Sequence, residues 1–379
     1  MSSFFEVPKP RTKLGHYRTL APLAGVCVSP IQLGAMSIGD KWADMGMGAM
    51  DKESSFKLLD AYFDNGGNII DTASNYQDET SEMFIGEWAE QRGIRDQLVI
   101  ATKYTTNFKR GNDSVAQKTL YVGNSVKSMH NSVEASLKKL RTTYIDILYV
   151  HWWDYTTGIE ELMNGLHNLV TQGKVLYLGI SDTPAWVVSQ ANQYARDHGK
   201  TPFCIYQGSW SILDRAFERE IIPMARANGM ALAPFGVLAH GNIRTDAEDE
   251  QRKASGELGR SLFKPWERDE AQRKVAVALE EVAKELGAKS VHAVAIAYVM
   301  QKAPYCFPII GGRKVEHMLA NLEALDINLS EAHIARLESV VPFDPGFPHT
   351  IIGNGSNYTL QSTSAAVLVR HPLPQPIRP

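Results

Sequence analysis

The sequence has little cysteine. Cys27, Cys204 and Cys306 are an odd number and form no Cys-x-x-Cys pair, which argues against a disulfide framework and predicts inert core thiols in a reducing compartment. It also has no excess of positive charge. A net charge of -3 leaves no electrostatic footprint for nucleic acid or for an anionic membrane. No apolar run reaches the ~20 residues of a membrane span, and Met1 to Pro8 lacks the apolar centre of a signal peptide, so the expected location is cytoplasmic. Neither Gly-x-Ser-x-Gly nor His-Glu-x-x-His occurs, and the eleven histidines show no ligand spacing, which excludes serine hydrolase and zinc hydrolase readings and predicts no metal site. Gly-x-Gly-x-x-Gly is missing too, so no Rossmann unit is expected.

What is present is an alternation of short apolar runs and amphipathic stretches across 379 residues, with 44% hydrophobic and 21% charged content, ordinary for a folded globular chain. Val26 to Pro30 and Ile31 to Met36 read as a plug or hairpin entering a first strand. Helices are predicted from about Lys52, over Glu79 to Arg92, Ser125 to Leu140 and Glu160 to Thr171, and around Arg215 to Asn228. Between them lie apolar runs ending at Asp71, Lys103, His151 and Ser181-Asp182, then Phe203 to Gln207, Met230 to Phe235 and Tyr305 to Ile310. Continuous apolar strands alternating with helices mean a parallel sheet. About eight such units favour an α/β fold of the (β/α)8 TIM barrel type, one domain over 1–341 with the barrel proper at about 31–325. Ala239 to Arg268, rich in charge and carrying Gly241, Gly256 and Gly259, reads as a large loop after strand seven, too polar for core. From Pro342 the prolines predict an irregular tail over 342–379, wrapped on the body or loose in solvent.

In such a barrel, catalytic groups sit where strands end. Asp71, Lys103 and His151 finish three successive runs, and Tyr76 follows the first by five residues. Each alone has a structural reading: a turn cap, a solvated strand end, a core histidine, a loop aromatic. Together they suit proton transfer by a phenol. Its ordinary pKa near ~10 needs help at neutral pH; a lysine cation favours the phenolate, and a carboxylate keeps the lysine charged.

From Gly34 to Asn321 these residues resemble the aldo-keto reductases. The resemblance implies a catalytic tetrad, with Tyr76 as general acid, Lys103 tuning it, Asp71 paired to Lys103 and His151 orienting a carbonyl. It implies NADPH as cofactor. Gly34, Ala35 and Met36 would lie beside it, Ser181, Asp182 and Gln207 would hold the nicotinamide carboxamide, and Phe235 would stack on the ring. Gly236 and Leu238 would meet the pyrophosphate, Gly311, Gly312, Arg313 and Lys314 the adenosine phosphate, and His317 and Asn321 the adenine. Asp182 stands where the family usually has asparagine, and Ala320 where an acidic residue often contacts adenine.

Tyr206 to Arg215 and Arg219 to Ala225 are most similar to the fungal aryl-alcohol dehydrogenase and norsolorinic acid reductase-like group. That similarity implies a small aromatic carbonyl as substrate and a place in secondary metabolism, in a monomer or weak homo-oligomer. Trp42, Tyr104, Trp152 and Trp210, in or beside strand-following loops, are the candidates to line the mouth. Two other readings stay open: a cofactor-binding regulatory or interaction subunit, and a cofactor-independent dehydratase or isomerase on the same barrel.

Overall fold

The computed structural model describes residues 9–10, 12–255 and 267–379. A hairpin of β1 (Arg18–Ala21) and β2 (Ala24–Val28) comes first. The chain then alternates through β3 (Gln32–Gly34), α1 (Lys52–Asp64), β4 (Ile69–Asp71), α2 (Thr80–Arg92), β5 (Val99–Tyr104), α3 (Val126–Lys139), β6 (Ile145–Val150) and α4 (Ile159–Thr171). It continues through β7 (Val175–Ser181), α5 (Ala185–Asp197), β8 (Ile205–Ser209), α6 (Ile221–Ala227) and β9 (Ala231–Phe235). Three helices follow, α7 (Asp246–Ser255), α8 (Glu270–Leu286) and α9 (Val291–Lys302), before β10 (Ile309–Gly311), α10 (Val315–Asn321) and α11 (Glu331–Val340).

Eight strands pair in parallel in the order β10-β3-β4-β5-β6-β7-β8-β9. The ring closes where Leu232 of β9 bridges to Cys306, with the Leu232 amide donating to the Tyr305 carbonyl at 2.9 Å and the Phe307 amide to the Leu232 carbonyl at 2.8 Å. The expected (β/α)8 barrel is therefore the observed fold. The hairpin lies earlier than predicted. Its Leu20, Ala21, Ala24 and Val28 pack with Ile69, Val99, Ile147, Ile205 and Ala231, so it seals the end of the barrel where those strands begin.

Side chains on a strand alternate between its two faces, and here the two faces have separate cores. Ile69, Val99, Ala101, Ile147, Tyr149, Ile205, Ala231 and Ala233 point inward onto the hairpin. Ile70, Ile100, Leu148, Val150, Leu178, Ile180, Tyr206 and Leu232 point outward and pack under the helices. Gly179 makes room on the inner face, since a Cβ there would lie 2.5 Å from the Tyr149 ring.

Several boundaries differ from the sequence reading. Helix α6 is half as long as predicted because Pro223, which has no N–H, is tolerated only in a first turn. Strand β10 is shorter because Pro308 removes a ladder donor. The segment after β9 is not simply a polar loop: it contains α7, and Arg244, Asp249 and Arg268 are buried within it. Gly256 and Gly259 lie outside the described residues. The tail carries two single turns, α12 (His349–Ile352) and α13 (Leu360–Thr363). It is tied to the body by His349 Nε2 at 2.8 Å from Glu220 Oε1 and by Phe343, whose ring lies under the guanidinium groups of Arg215 and Arg219 at 5.1 and 4.9 Å. Cys204 and Cys306 are buried, whereas Cys27, expected in the core, is exposed on the hairpin. Among the described residues no helix is long and apolar enough to cross a membrane, and no group of three or more His, Cys, Asp or Glu can hold a metal ion.

Candidate active site

Except in β9, which ends in Phe235, the last inward-facing residue of each strand is polar or a glycine, and these residues meet at one mouth. Parallel pairing sets Gly34 beside Asp71 and beside Gly311, Asp71 beside Ala101, Lys103 beside Tyr149, and Ser181 beside Gln207. Two residues beyond Ala101, Lys103 sits on the inner face with no exposed surface. An ammonium has three N–H donors, and all three are used: Asp71 Oδ2 accepts at 2.7 Å, the Thr72 carbonyl at 2.8 Å and Tyr76 Oη at 3.4 Å. Gln207 Nε2 donates to the other Asp71 oxygen at 2.8 Å. Because Tyr76 accepts from the cation, its own O–H proton is free to point elsewhere.

Burial pushes the Tyr76 hydroxyl above its ordinary pKa; Lys103 pulls it down, but by less. The expected help from lysine is present without being the larger effect, and at neutral pH Tyr76 is a phenol carrying a proton. For Lys103 burial opposes the charge, but Asp71 and Tyr76 outweigh it and raise the ammonium pKa. His151 follows β6 directly, with its ring 5.9 Å from the Tyr76 ring at 73°. Burial, then the Lys103 charge, lowers the His151 pKa to about 3, so its imidazole is neutral. The four predicted catalytic residues are thus one cluster.

The positions predicted for a dinucleotide surround that cluster on the same rim. Gly34 packs closely against β10 at the end of β3, where a Cβ would lie 2.8 Å from Ile309 Cγ2. Ala35 is buried, and the Met36 carbonyl accepts from Gln77 at 2.9 Å. Ser181 Oγ is buried with no hydrogen-bond partner among the described residues, and Gln207 keeps its amide oxygen turned from the bond to Asp71. Asp182 adopts φ 40°, and the protein packed around its carboxyl raises it to about 6, against a smaller opposing effect of Lys103. Phe235 is half-buried at the end of β9; Gly236, at φ 67°, lines a cleft that also contains Ser209, Asp214 and His240, and Leu238 is half-buried beyond it. Gly311 ends β10, Gly312, Arg313 and Lys314 form the turn into α10, and His317 is exposed with Asn321 half-buried on that helix. The Arg313 side chain lies across Gly48, whose Cβ position is 3.3 Å from Arg313 Cδ. An orphaned buried hydroxyl, the open space at Gly312 and a terminal turn with two cations fit a phosphorylated dinucleotide.

A family model described as the aldo/keto reductase family matches residues 30–342. The chain belongs to that family. It is 63% identical over 383 residues to the aryl-alcohol dehydrogenase [NADP(+)] of Phanerodontia chrysosporium, covering 100% of both chains. It is 54% identical over 351 residues to a putative aryl-alcohol dehydrogenase of Saccharomyces cerevisiae, covering 93% of each. Norsolorinic acid reductase B of Dothistroma septosporum is 51% identical over 337 residues, which is 89% of this chain and 84% of that one.

Of the four aromatics predicted at the mouth of this aldo/keto reductase, two are there. Trp42 makes an edge contact to the Tyr76 ring at 6.1 Å, and Trp152 is half-buried beside His151. Tyr104 and Trp210 are corrections. Tyr104 is one residue past Lys103 and so faces outward, buried, with its hydroxyl donating to the Asn124 carbonyl at 3.2 Å. Trp210 is fully buried, stacks on Phe217 at 5.5 Å and donates from Nε1 to Glu218 at 3.2 Å. Their size suggested contact area, but strand alternation assigns them to the outer core.

Sequence reasoning missed Gln77. It is the first of three consecutive residues with positive φ, Gln77, Asp78 and Glu79 at 52°, 45° and 84°. Such residues cost ~1–3 kcal/mol each and persist only where surroundings enforce them. Gln77 supplies that enforcement from a fully buried side chain. Its oxygen accepts from the Lys41 and Trp42 amides at 3.0 and 2.9 Å, and its nitrogen donates to the Met36 and Gly48 carbonyls at 2.9 and 2.8 Å. The residue after Tyr76 therefore ties that tyrosine to the loop bearing Trp42. The positive-φ run leaves no mark in composition or periodicity.

Proposed function

We propose that this aldo/keto reductase uses NADPH to reduce an aromatic aldehyde or ketone to the alcohol, and runs the reverse with an aryl alcohol. The observation that carries this reading is the Lys103 ammonium, fully buried and shared between Asp71 and Tyr76. NADPH, when bound, supplies the hydride that the carbonyl carbon accepts. Ser181, Asp182 and Gln207 would hold the carboxamide, Phe235 would face the ring, Gly236 and Leu238 would adjoin the pyrophosphate, and the segment from Gly311 to Asn321 would take the adenosine end. Tyr76 gives its proton to the substrate oxygen; Lys103 stabilises the phenolate left behind, and Asp71 keeps the cation in place. His151, neutral, positions the carbonyl oxygen. Trp42 and Trp152 offer flat apolar surface to an aromatic substrate. The names of the relatives, an NADP(+)-dependent aryl-alcohol dehydrogenase and a norsolorinic acid reductase, support the same substrate class.

Mixing the purified protein with NADPH and a panel of benzaldehydes and aryl ketones tests it. Loss of NADPH absorbance with at least one member is expected. Tight NADPH binding without oxidation by any member would count against it, and turnover without NADPH would favour a dehydratase or isomerase.

A further inference from the structure

The imidazole of His151 has two polar neighbours, the Thr106 hydroxyl and, through it, the Trp152 indole. Trp152 Nε1 donates to Thr106 Oγ1 at 3.0 Å, and the same oxygen lies 3.3 Å from His151 Nδ1. An indole N–H can only donate. Thr106 is therefore the acceptor in the first contact, and its hydroxyl proton is available for the second. The Thr106 hydroxyl makes no other hydrogen bond among the described residues. The backbone before Thr106 is held in an unusual conformation: Thr105 is β-branched and buried, yet has φ 107°, an outlier for such a side chain. Two contacts enforce it. The Thr105 carbonyl accepts from the Gly123 amide at 2.8 Å, and its hydroxyl accepts from the His151 amide at 3.3 Å. The strained residue thus joins the chain after β5 to the chain after β6 and turns the next hydroxyl to the imidazole.

We propose that Thr106, oriented by Trp152, fixes the tautomer of His151: Nδ1 accepts from the threonine, and Nε2 carries the proton. A neutral imidazole has one donor and one acceptor, and the hydrogen bond at one nitrogen sets the state of the other. Nε2 makes no hydrogen bond to a described residue, so its N–H is available to a carbonyl oxygen. The opposite tautomer presents a lone pair there and repels that oxygen. Trp152 then contributes its indole N–H to positioning and only its ring to the substrate side. Thr106 and Trp152 are positioning residues, acting through His151. The value of this arrangement for turnover rests on the carbonyl-reduction reading; the tautomer itself does not.

Nitrogen-15 NMR of histidine-labelled wild-type enzyme, free of cofactor, reads the tautomer directly. A protonated Nε2 and an unprotonated Nδ1 are expected for His151, with the resonances assigned by loss in His151→Gln. Protonated Nδ1 would overturn the proposal. Thr106→Val keeps the shape and removes the hydroxyl. It is expected to lower kcat for an aryl aldehyde about tenfold to a hundredfold with NADPH affinity unchanged, and Thr106→Ser to restore most of it. Wild-type kcat in Thr106→Val would also overturn it. Protonated Nε2 in an enzyme that reduces no carbonyl would sink the functional reading while upholding the tautomer assignment.

Discussion

The rim of this barrel contains two buried ionic clusters of different construction. At the ends of β4 and β5, one cation faces one carboxylate: Lys103 and Asp71 are set by strand register, and the third lysine donor goes to a phenol. In the segment after β9, Asp249 takes Arg244 Nε at 2.6 Å and Lys253 at 3.0 Å, with Arg268 at 3.6 Å. Arg244 also donates to the Gly241 carbonyl at 2.8 Å, and Arg268 to the Arg244 carbonyl at 2.6 Å. The first cluster leaves a proton free to move. The second spreads its donors over two carboxylates, Asp249 and Asp246, the Asn242 side chain and backbone carbonyls. In the proposed mechanism buried charge serves proton transfer in one place; in the other it holds a loop in shape.

That contrast can be broken by removing one partner on each side. Lys103→Met leaves the buried Asp71 carboxyl without its cation, which is expected to cost about 3–5 kcal/mol of stability and to abolish turnover. Adding Asp71→Asn should recover most of the stability and none of the activity. Denaturant titration beside an activity assay checks both, and recovery of activity would show the pair to be merely structural. Asp249→Ala removes the carboxylate that Arg244, Arg268 and Lys253 share and is expected to cost less, because Arg268 keeps Asp246 and Arg244 keeps Asn242 and the Gly241 carbonyl. Here kcat should stay near wild type while the KM for NADPH rises. A collapse of kcat at saturating NADPH would place the second cluster in the chemistry.

Gln77→Ala should cost about 1–3 kcal/mol, because four backbone groups lose a buried partner, and should lower kcat by loosening Tyr76 and Trp42 together. Equal melting of wild type and variant would contradict the clamp. The smallest effect is in pH dependence, where the two regions should respond in opposite senses. The Asp182 carboxyl is raised to about 6 from 3.8 by its surroundings, so its favourable contribution is present below ~4 and lost as pH rises through about 6. Burial would raise Asp249 too, but its hydrogen bonds from Lys253 and Arg244 and the nearby charges hold it at about 2. Its contribution is full above ~4 and lost as pH falls through about 2. Stability curves of Asp182→Asn and Asp249→Asn against wild type should therefore diverge at neutral pH for the first and converge in acid for the second.

The same contrast explains what could be read from the sequence. Asp71, Lys103, His151 and Ser181 each close a short apolar run, and period-two alternation carries them to one face without long-range information. Tyr104 and Trp210 were misassigned because their size was weighed and their parity was not. Arg244, Asp249 and Arg268 were illegible for another reason: a charge run reads as solvated surface, and only the folded segment shows two guanidiniums paired with Asp249 and Asp246 inside it. Thr106 was hidden in the same way, since its effect on His151 depends on a strained backbone that no pattern announces.

The claim on which the rest depends is that Tyr76, its oxygen held by the Lys103 ammonium, delivers the proton during carbonyl reduction. Single-turnover oxidation of bound NADPH by an aryl aldehyde, in wild type and in Tyr76→Phe, tests it most directly. The variant should bind NADPH as wild type does and oxidise it about 10²–10⁴-fold more slowly. Oxidation at the wild-type rate in the variant would contradict the account.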